Sequence, residues 1–227
     1  IVAMGGGGFS DDDTGLDRFV TDLTGAANPR VCFVPTASGD AASYVTHFEV
    51  ACASRGWVPS LLTLFERRVA DIGAFLGEQD VIYVGGGNTA NMLAIWRHHG
   101  VDTALRAAWD GGVVLCGVSA GANCWFEASS TDSYGIGRAD ALGDGLGFLP
   151  GSFCPHYHGE PERRPGLHRL IASGELPDAI ACDDFAAVHF SGTQLVEAVA
   201  SDPRAGAYRV TQAGGGAVET HLPVRAL

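Results

Sequence analysis

The chain has 227 residues, 46% of them apolar, and carries a formal charge of −12 from 26 acidic and 14 basic side chains. That much apolar sequence buries a core without disulfide or metal staples, and nothing forces a split, so a single α/β domain over 1–227 is expected. The acidic balance argues against nucleic acid and anionic membranes as partners, because attraction to phosphates needs clustered Lys and Arg.

Short apolar runs alternate with helical patterns. "IVAM" (1–4) reads as a strand ending in four glycines, and "LDRFVTDL" (16–23) has helical spacing. "VCFVPT" (31–36) is a buried strand, and "YVTHFEVACASRG" (44–56) a helix with Gly56 as its C-cap. "PSLLTLF" (59–65) predicts a strand, a short helix follows near 69–76, and "DVIYVGGGNT" (80–89) is strand then loop. "ANMLAIWRHHG" (90–100) and "VDTALRAAWDGG" (101–112) predict helices, "VVLCGV" (113–118) a strand, and a helix follows Ser119. Continuous aliphatic strands separated by helices specify a parallel sheet covered on both faces. From 127 to 152 the pattern dissolves into Ser, Gly and Asp and reads as a long loop of the kind that carries function. Past 175, "AIACDDFAAVHF" (179–190), "QLVEAVA" (194–200), "AYRV" (207–210) and "AVETHLPV" (217–224) read as strands joined by turns, so an antiparallel end is expected. The six cysteines, at 32, 52, 116, 124, 154 and 182, show no C-x-x-C spacing and read as reduced structural thiols. "IVAMGGGGF" lacks the basic region of a signal peptide, and no stretch approaches the ~20 apolar residues of a membrane span. A cytoplasmic location is expected.

Gly117-Val118-Ser119-Ala120-Gly121 fits G-x-S-x-G, the nucleophile elbow. A sharp strand-to-helix turn forces the serine into strained dihedrals, so its neighbours must be small. The serine then projects at the carboxyl end of the sheet, where open α/β folds bind ligands. The N–H of Ala120, unbonded at the helix start, is available to a developing oxyanion. The competing explanation is a serine that merely caps the helix. "VGGGNT" (84–89) follows another strand and opens another helix. Its plain reading is a flexible turn or an anion cradle, and it matches neither a Walker A loop nor a dinucleotide fingerprint. Beside the elbow, Gly87 would supply a second oxyanion donor, with Asn88 and Thr89 placed to touch substrate.

A nucleophilic serine needs a base and a group that orients it. "CPHYHGEPERR" (154–164) offers His156 and His158, either of which is otherwise an ordinary buried imidazole. Cys154, His156 and His158 lack a fourth ligand and match no zinc pattern, so no metal is expected. "CDDF" supplies Asp183 and Asp184, with Asp132 and Glu127 as rivals for the orienting acid. The α/β-hydrolase order of Ser, acid, His would instead use His189 or His221, though no HGGG-type oxyanion motif is present.

In combination these stretches resemble the peptidase E family, the aspartyl dipeptidases of the S51 serine peptidases, which also include cyanophycinase. "VGGGNT", "GVSAGANCWF", "CPHY" followed by "ERR", and "AIACDDFAAVHF" carry the likeness in that order, with "GGGGF" and "FVPTAS" compatible. The resemblance implies a fold like that of class I glutamine amidotransferases, flavodoxin-like, with a mostly parallel sheet, helices on both faces and the nucleophile on an elbow. It makes Ser119 the nucleophile, His156 the base and the acid of "CDD" the third member. Family members carry Glu at that place; the apolar-then-acid pattern aligns Asp184 there, one methylene shorter. The oxyanion donors would be Gly87 and Ala120. Removal of an N-terminal aspartate from dipeptides, the family's best-known activity, needs a cation for the substrate carboxylate. Arg163 or Arg164 could serve, the alternative being a solvated cluster paired with Glu160 and Glu162.

The expected function is a cytoplasmic serine peptidase that takes a short peptide as its partner and needs no metal or organic cofactor, with a homodimer left open. Two other readings stand beside it: another serine hydrolase, such as an esterase using His221, and a small-molecule binding protein that holds an anion at "GGGNT" and the Ser119 helix. An amidotransferase is disfavoured, because that reaction ordinarily uses cysteine at the elbow.

Overall fold

The computed structural model describes residues 1–135 and 137–227. The first half alternates strand and helix: β1 (Val2–Met4), α1 (Thr14–Asp22), β2 (Arg30–Val34), α2 (Ala42–Arg55), β3 (Val58–Leu61), α3 (Ile72–Gly77), β4 (Val81–Val84), α4 (Thr89–His99), α5 (Val101–Asp110) and β5 (Val114–Val118). The second half is dominated by strands: α6 (Ala120–Asn123), β6 (Phe126–Thr131), β7 (Asp140–Leu142), β8 (Leu149–Cys154), α7 (Arg163–Ala172), β9 (Ala179–Cys182), β10 (Ala186–Ser191), β11 (Gln194–Ala200), β12 (Ala207–Ala213), β13 (Gly216–His221) and β14 (Val224–Ala226).

The first sheet has the order β14-β11-β10-β1-β5-β4-β2-β3. Its five strands β1, β5, β4, β2 and β3 are mutually parallel, as the aliphatic runs require. Side chains alternate across a strand, and the burial follows that period. Ala3, Cys32, Val34, Ile82, Val84 and Leu115 join one core cluster with Met92, Trp96 and Leu105 of α4 and α5. Val2, Met4, Val31, Phe33, Tyr83 and Cys116 join another with Leu16 and Phe19 of α1 and Phe48 of α2. Each such large side chain contributes about 1.5–3 kcal/mol on leaving water, so both faces of the sheet are covered. Gly56 and Gly100 adopt left-handed conformations that close α2 and α4.

A second sheet, β13-β12-β9-β8-β6-β7, occupies much of what the sequence reads as a long loop. The stretch 127–152 contains most of β6, all of β7 and the start of β8; Ile136 lies outside the described residues. Ser129 and Ser130 are fully buried in β6. Their small polar side chains resemble loop composition locally, while pairing with β8 and β7 makes them a strand. No element was expected over 163–172, where helix α7 has a charged start but carries Leu167, Leu170 and Ile171, which pack beneath the second sheet. Pro165 falls in its first turn, where no intrahelical N–H bond is lost. The strand expected over 59–65 stops at Leu61, and the helix after Ser119 is a single turn.

The expected antiparallel end is present in the β10–β11, β9–β12 and β12–β13 pairs, whereas β14 runs parallel to β11. The run 179–190 is not one strand. It breaks at Asp183–Phe185, where Phe185 has φ 65°, so β9 stays in the second sheet and β10 joins the first. Phe126, Phe153, Ile180 and Phe190 form part of one buried cluster that joins the two sheets. No described helix is long and apolar enough to cross a membrane. All six cysteines are free and buried.

Candidate active site

Ser119 follows β5 directly and takes φ 56° and ψ −115°, a region that costs a non-glycine residue about 1–3 kcal/mol. Its side chain makes no capping hydrogen bond; only its carbonyl enters the helix, accepting from the Ala122 and Asn123 N–H groups. Capping therefore does not account for the serine. Both motif glycines are required by close approach. A Cβ on Gly117 would run into the Gly121 carbonyl, and one on Gly121 into the Val84 carbonyl. The Ser119 N–H donates to the Met4 carbonyl at 3.1 Å, tying the elbow to the end of β1.

The "GGGNT" loop lies against this turn: a Cβ on Gly86 would sit 3.4 Å from that of Ser119. The Gly86 N–H donates to the Tyr44 hydroxyl at 3.3 Å, so α2 holds the loop in place. Gly87 has φ 138°, and the Ala37 backbone occupies the space a Cβ would need. Among the described residues, the N–H groups of Gly87 and Ala120 donate to no other group.

His156 and Asp184 each follow the end of one of two neighbouring parallel strands. One lies two residues past Cys154 at the end of β8, the other two residues past Cys182 at the end of β9. Their side chains meet at Nδ1–Oδ1, 2.5 Å. A carboxylate only accepts, so the neutral imidazole donates from Nδ1 and keeps the Nε2 lone pair free. Gly6, two residues past Met4, forms an isolated bridge with Asp184. A Cβ on Gly6 would strike the Asp184 carboxylate and crowd His156. The end of β1 thus carries the elbow at Met4 and the His–Asp pair at Gly6. Sequence reasoning missed this seam; its signal was the four-glycine run closing a short strand, a mark of close backbone approach.

The rival acids have other partners. Asp132 contacts Arg163 at 3.4 Å, and Glu127 accepts from the Gly151 N–H at 2.9 Å. Asp183 accepts from the His158 ring and backbone N–H through Oδ1, and from the Gly206 N–H through Oδ2. His189 sits opposite Val2, toward the amino end of β1, and His221 packs edge-on against Tyr208 beside Gly206. The side chains assigned to substrate are engaged within the fold. Asn88 caps α4 through Asn91 and donates to the Ser133 carbonyl. Thr89 is buried and accepts from Asn123. Arg163, 3% exposed, is not in a solvated cluster: Glu160 lies 2.5 Å from its Nε, and Asp132 is its second carboxylate. Among the described residues, no group of three or more His, Cys, Asp or Glu is placed to hold a metal ion. Cys116 and Cys124, which flank the elbow, are buried, and that burial pushes their thiols well above the usual range.

Peptidase family S51 matches residues 1–198. The chain is 49% identical over 229 residues to a Bacillus subtilis (strain 168) protein named "Uncharacterized peptidase YgaJ", covering 100% of this chain and 98% of that one. It is 31% identical over 176 residues to Peptidase E of Streptomyces coelicolor, covering 71% and 69% of the two chains. The crystal structure of a peptidase from an acI-B1 Actinobacterium shares the fold, with a TM-score of 0.69 at 18% identity over 98% of this chain and 93% of the other. Sequence match and fold agree over most of the length, and the chain belongs to peptidase family S51.

Proposed function

We propose that the protein is a serine peptidase acting on very short peptides, with Ser119 as nucleophile, His156 as general base and Asp184 as the group that orients it. The observation that carries this reading is the joint placement at the end of β1: an uncapped, strained serine tied to Met4, and a His–Asp pair seated on Gly6. His156 Nε2 takes the Ser119 hydroxyl proton as Oγ attacks the scissile carbonyl. The charge that develops on the carbonyl oxygen is met by the Gly87 and Ala120 N–H groups, which have no competing acceptor among the described residues. His156 then gives its proton to the leaving amine, and water releases the acyl group by the same steps in reverse order of partners. Asp184 keeps the imidazole in the tautomer that can accept and stabilises the imidazolium that forms. A substrate with an N-terminal aspartate would place its carboxylate near Arg163 by replacing Asp132, whose 3.4 Å contact is the longer of that arginine's two ion pairs.

A panel of dipeptides and tripeptides varied at each position, run with Ser119→Ala and His156→Ala, tests the proposal. Cleavage by the parent protein alone, and covalent capture of Ser119 by a fluorophosphonate, are expected. Activity surviving in Ser119→Ala, or capture of another residue, would overturn it. Cleavage confined to Asp-X peptides and lost in Arg163→Met would support the aspartyl specificity; equal rates on Ala-X peptides would sink that part alone.

A further inference from the structure

The His156 loop and the Asp184 turn are both anchored from outside, and the anchors converge on one element, the β12–β13 hairpin. The hairpin lies beyond residue 198, where the family match stops. Tyr157, adjacent to His156, is fully buried, and its hydroxyl donates to Glu219 of β13 at 2.5 Å. The same carboxylate accepts from Arg164 Nε at 2.9 Å and faces His168 Nε2 at 3.2 Å. The other half of the pair is held similarly. Asp183, adjacent to Asp184, donates its N–H to the Gly206 carbonyl at 3.0 Å, and its Oδ2 accepts from the Gly206 N–H at 2.8 Å and the Tyr208 hydroxyl at 3.4 Å. His158 closes the circuit, its ring and N–H both on Asp183 Oδ1.

His156 itself has φ 51°, an unfavourable conformation that persists only when its surroundings over-determine it. Within the hairpin circuit, the flanking residues Tyr157 and His158 supply that constraint. From these contacts we infer that the β12–β13 hairpin is the positioning element of the His156–Asp184 pair, with Glu219 and Tyr157 as positioning residues that act through the backbone of His156. Groups of this kind orient a functional imidazole without touching substrate. The charge state of the anchor suits the role. Burial works against ionisation of Glu219, yet the hydrogen bonds from Tyr157 and Arg164 outweigh it and hold the carboxyl at about 2. Burial, reinforced by Glu219, keeps the Tyr157 hydroxyl protonated and donating.

The inference rests on the serine-peptidase reading for its effect on rate, but the position of the imidazole can be read independently. In the full chain, proton NMR should show a downfield Nδ1 proton that disappears in His156→Ala. Tyr157→Phe and Glu219→Gln should each shift or broaden that resonance and slow fluorophosphonate capture of Ser119 by about tenfold, with the circular dichroism spectrum unchanged. Val218→Ala, on the exposed side of the same strand, should leave both signals as in the parent. Tyr157→Phe removes one oxygen from a buried ring and leaves Glu219 paired with Arg164, so it serves where Glu219→Gln does not fold. An unshifted resonance in Tyr157→Phe, or a parent protein without any His156-dependent downfield proton, would overturn the inference. A parent protein that shows the resonance shifts but never labels at Ser119 would instead retire the peptidase mechanism and leave the positioning intact.

Discussion

The two sheets contribute to the candidate site in different ways. The parallel sheet presents backbone: a serine lifted on a bend, and two N–H groups at helix starts, all within a few residues of β4 and β5. The second sheet presents side chains, His156 and Asp184, whose meeting depends on the register of β8 against β9 and on the crossing of the chain into β10. The first arrangement is a product of short-range stereochemistry, the second of pairing between residues 28 positions apart. A turn can be built wherever a strand meets a helix; a matched imidazole and carboxylate require the whole layer behind them.

Substitutions can break this contrast at graded cost. Ser119→Ala should lower turnover of the best peptide at least about ten-thousand-fold with no loss of thermal stability, since the side chain makes no capping bond. Asp184→Asn should follow closely, at about a thousand- to ten-thousand-fold in kcat. Asp183→Asn should cost no more than about a hundredfold, because it acts through its neighbours; equal losses would erase the distinction between the two acids. Gly6→Ala should reduce kcat about a hundredfold while Tm moves little, as its Cβ meets side-chain atoms of Asp184 and His156 and no main chain. Gly121→Ala, which strikes the Val84 main chain, should instead lower stability by at least about 1–3 kcal/mol. If both glycine variants lost stability alike in thermal unfolding, the division between a rigid backbone half and an adjustable side-chain half would fail.

The smallest effect concerns pH and lies wholly beneath the parallel sheet. Burial pushes the Asp17 carboxyl up to about 7, against the opposing pull of Arg55 at 3.0 Å. A carboxyl whose folded pKa exceeds its unfolded value near 3.8 favours the fold below that value, and the contribution is lost as pH rises through about 7. The Tm of the parent protein relative to Asp17→Asn should therefore decline between about pH 4 and pH 7 and then level off. A difference that grew over that range would show the Arg55 pair to dominate.

What could be read from the sequence followed the same divide. The elbow, the "GGGNT" loop and the glycines closing α2 and α4 each announce themselves within a few residues, because a positive φ or a close approach restricts residue type on the spot. Strands β6 to β8 did not, since Ser129 and Ser130 owe their burial to partners distant in the chain. The choice between Asp183 and Asp184 was equally hidden: adjacent residues on an extended chain point to opposite sides, and the left-handed turn at His156 and the bridge from Gly6 to Asp184, both beyond the regular strands, go with the pairing of His156 to Asp184. The surroundings of Arg163 were hidden for a related reason. The sequence left it either a partner for a substrate carboxylate or part of a solvated cluster; the fold excludes the second by burying it and bringing in Asp132, 31 positions away, as a partner.

The free cysteines have a practical consequence. Alkylation proceeds through the thiolate, and burial pushes Cys32 and Cys154 up to about 12, so a reagent must wait for each segment to open. The six sulfurs are spread over β2, α2, β5, the end of α6, β8 and β9. Brief exposure to iodoacetamide followed by mass spectrometry would read out which layer breathes first, with no reporter group introduced.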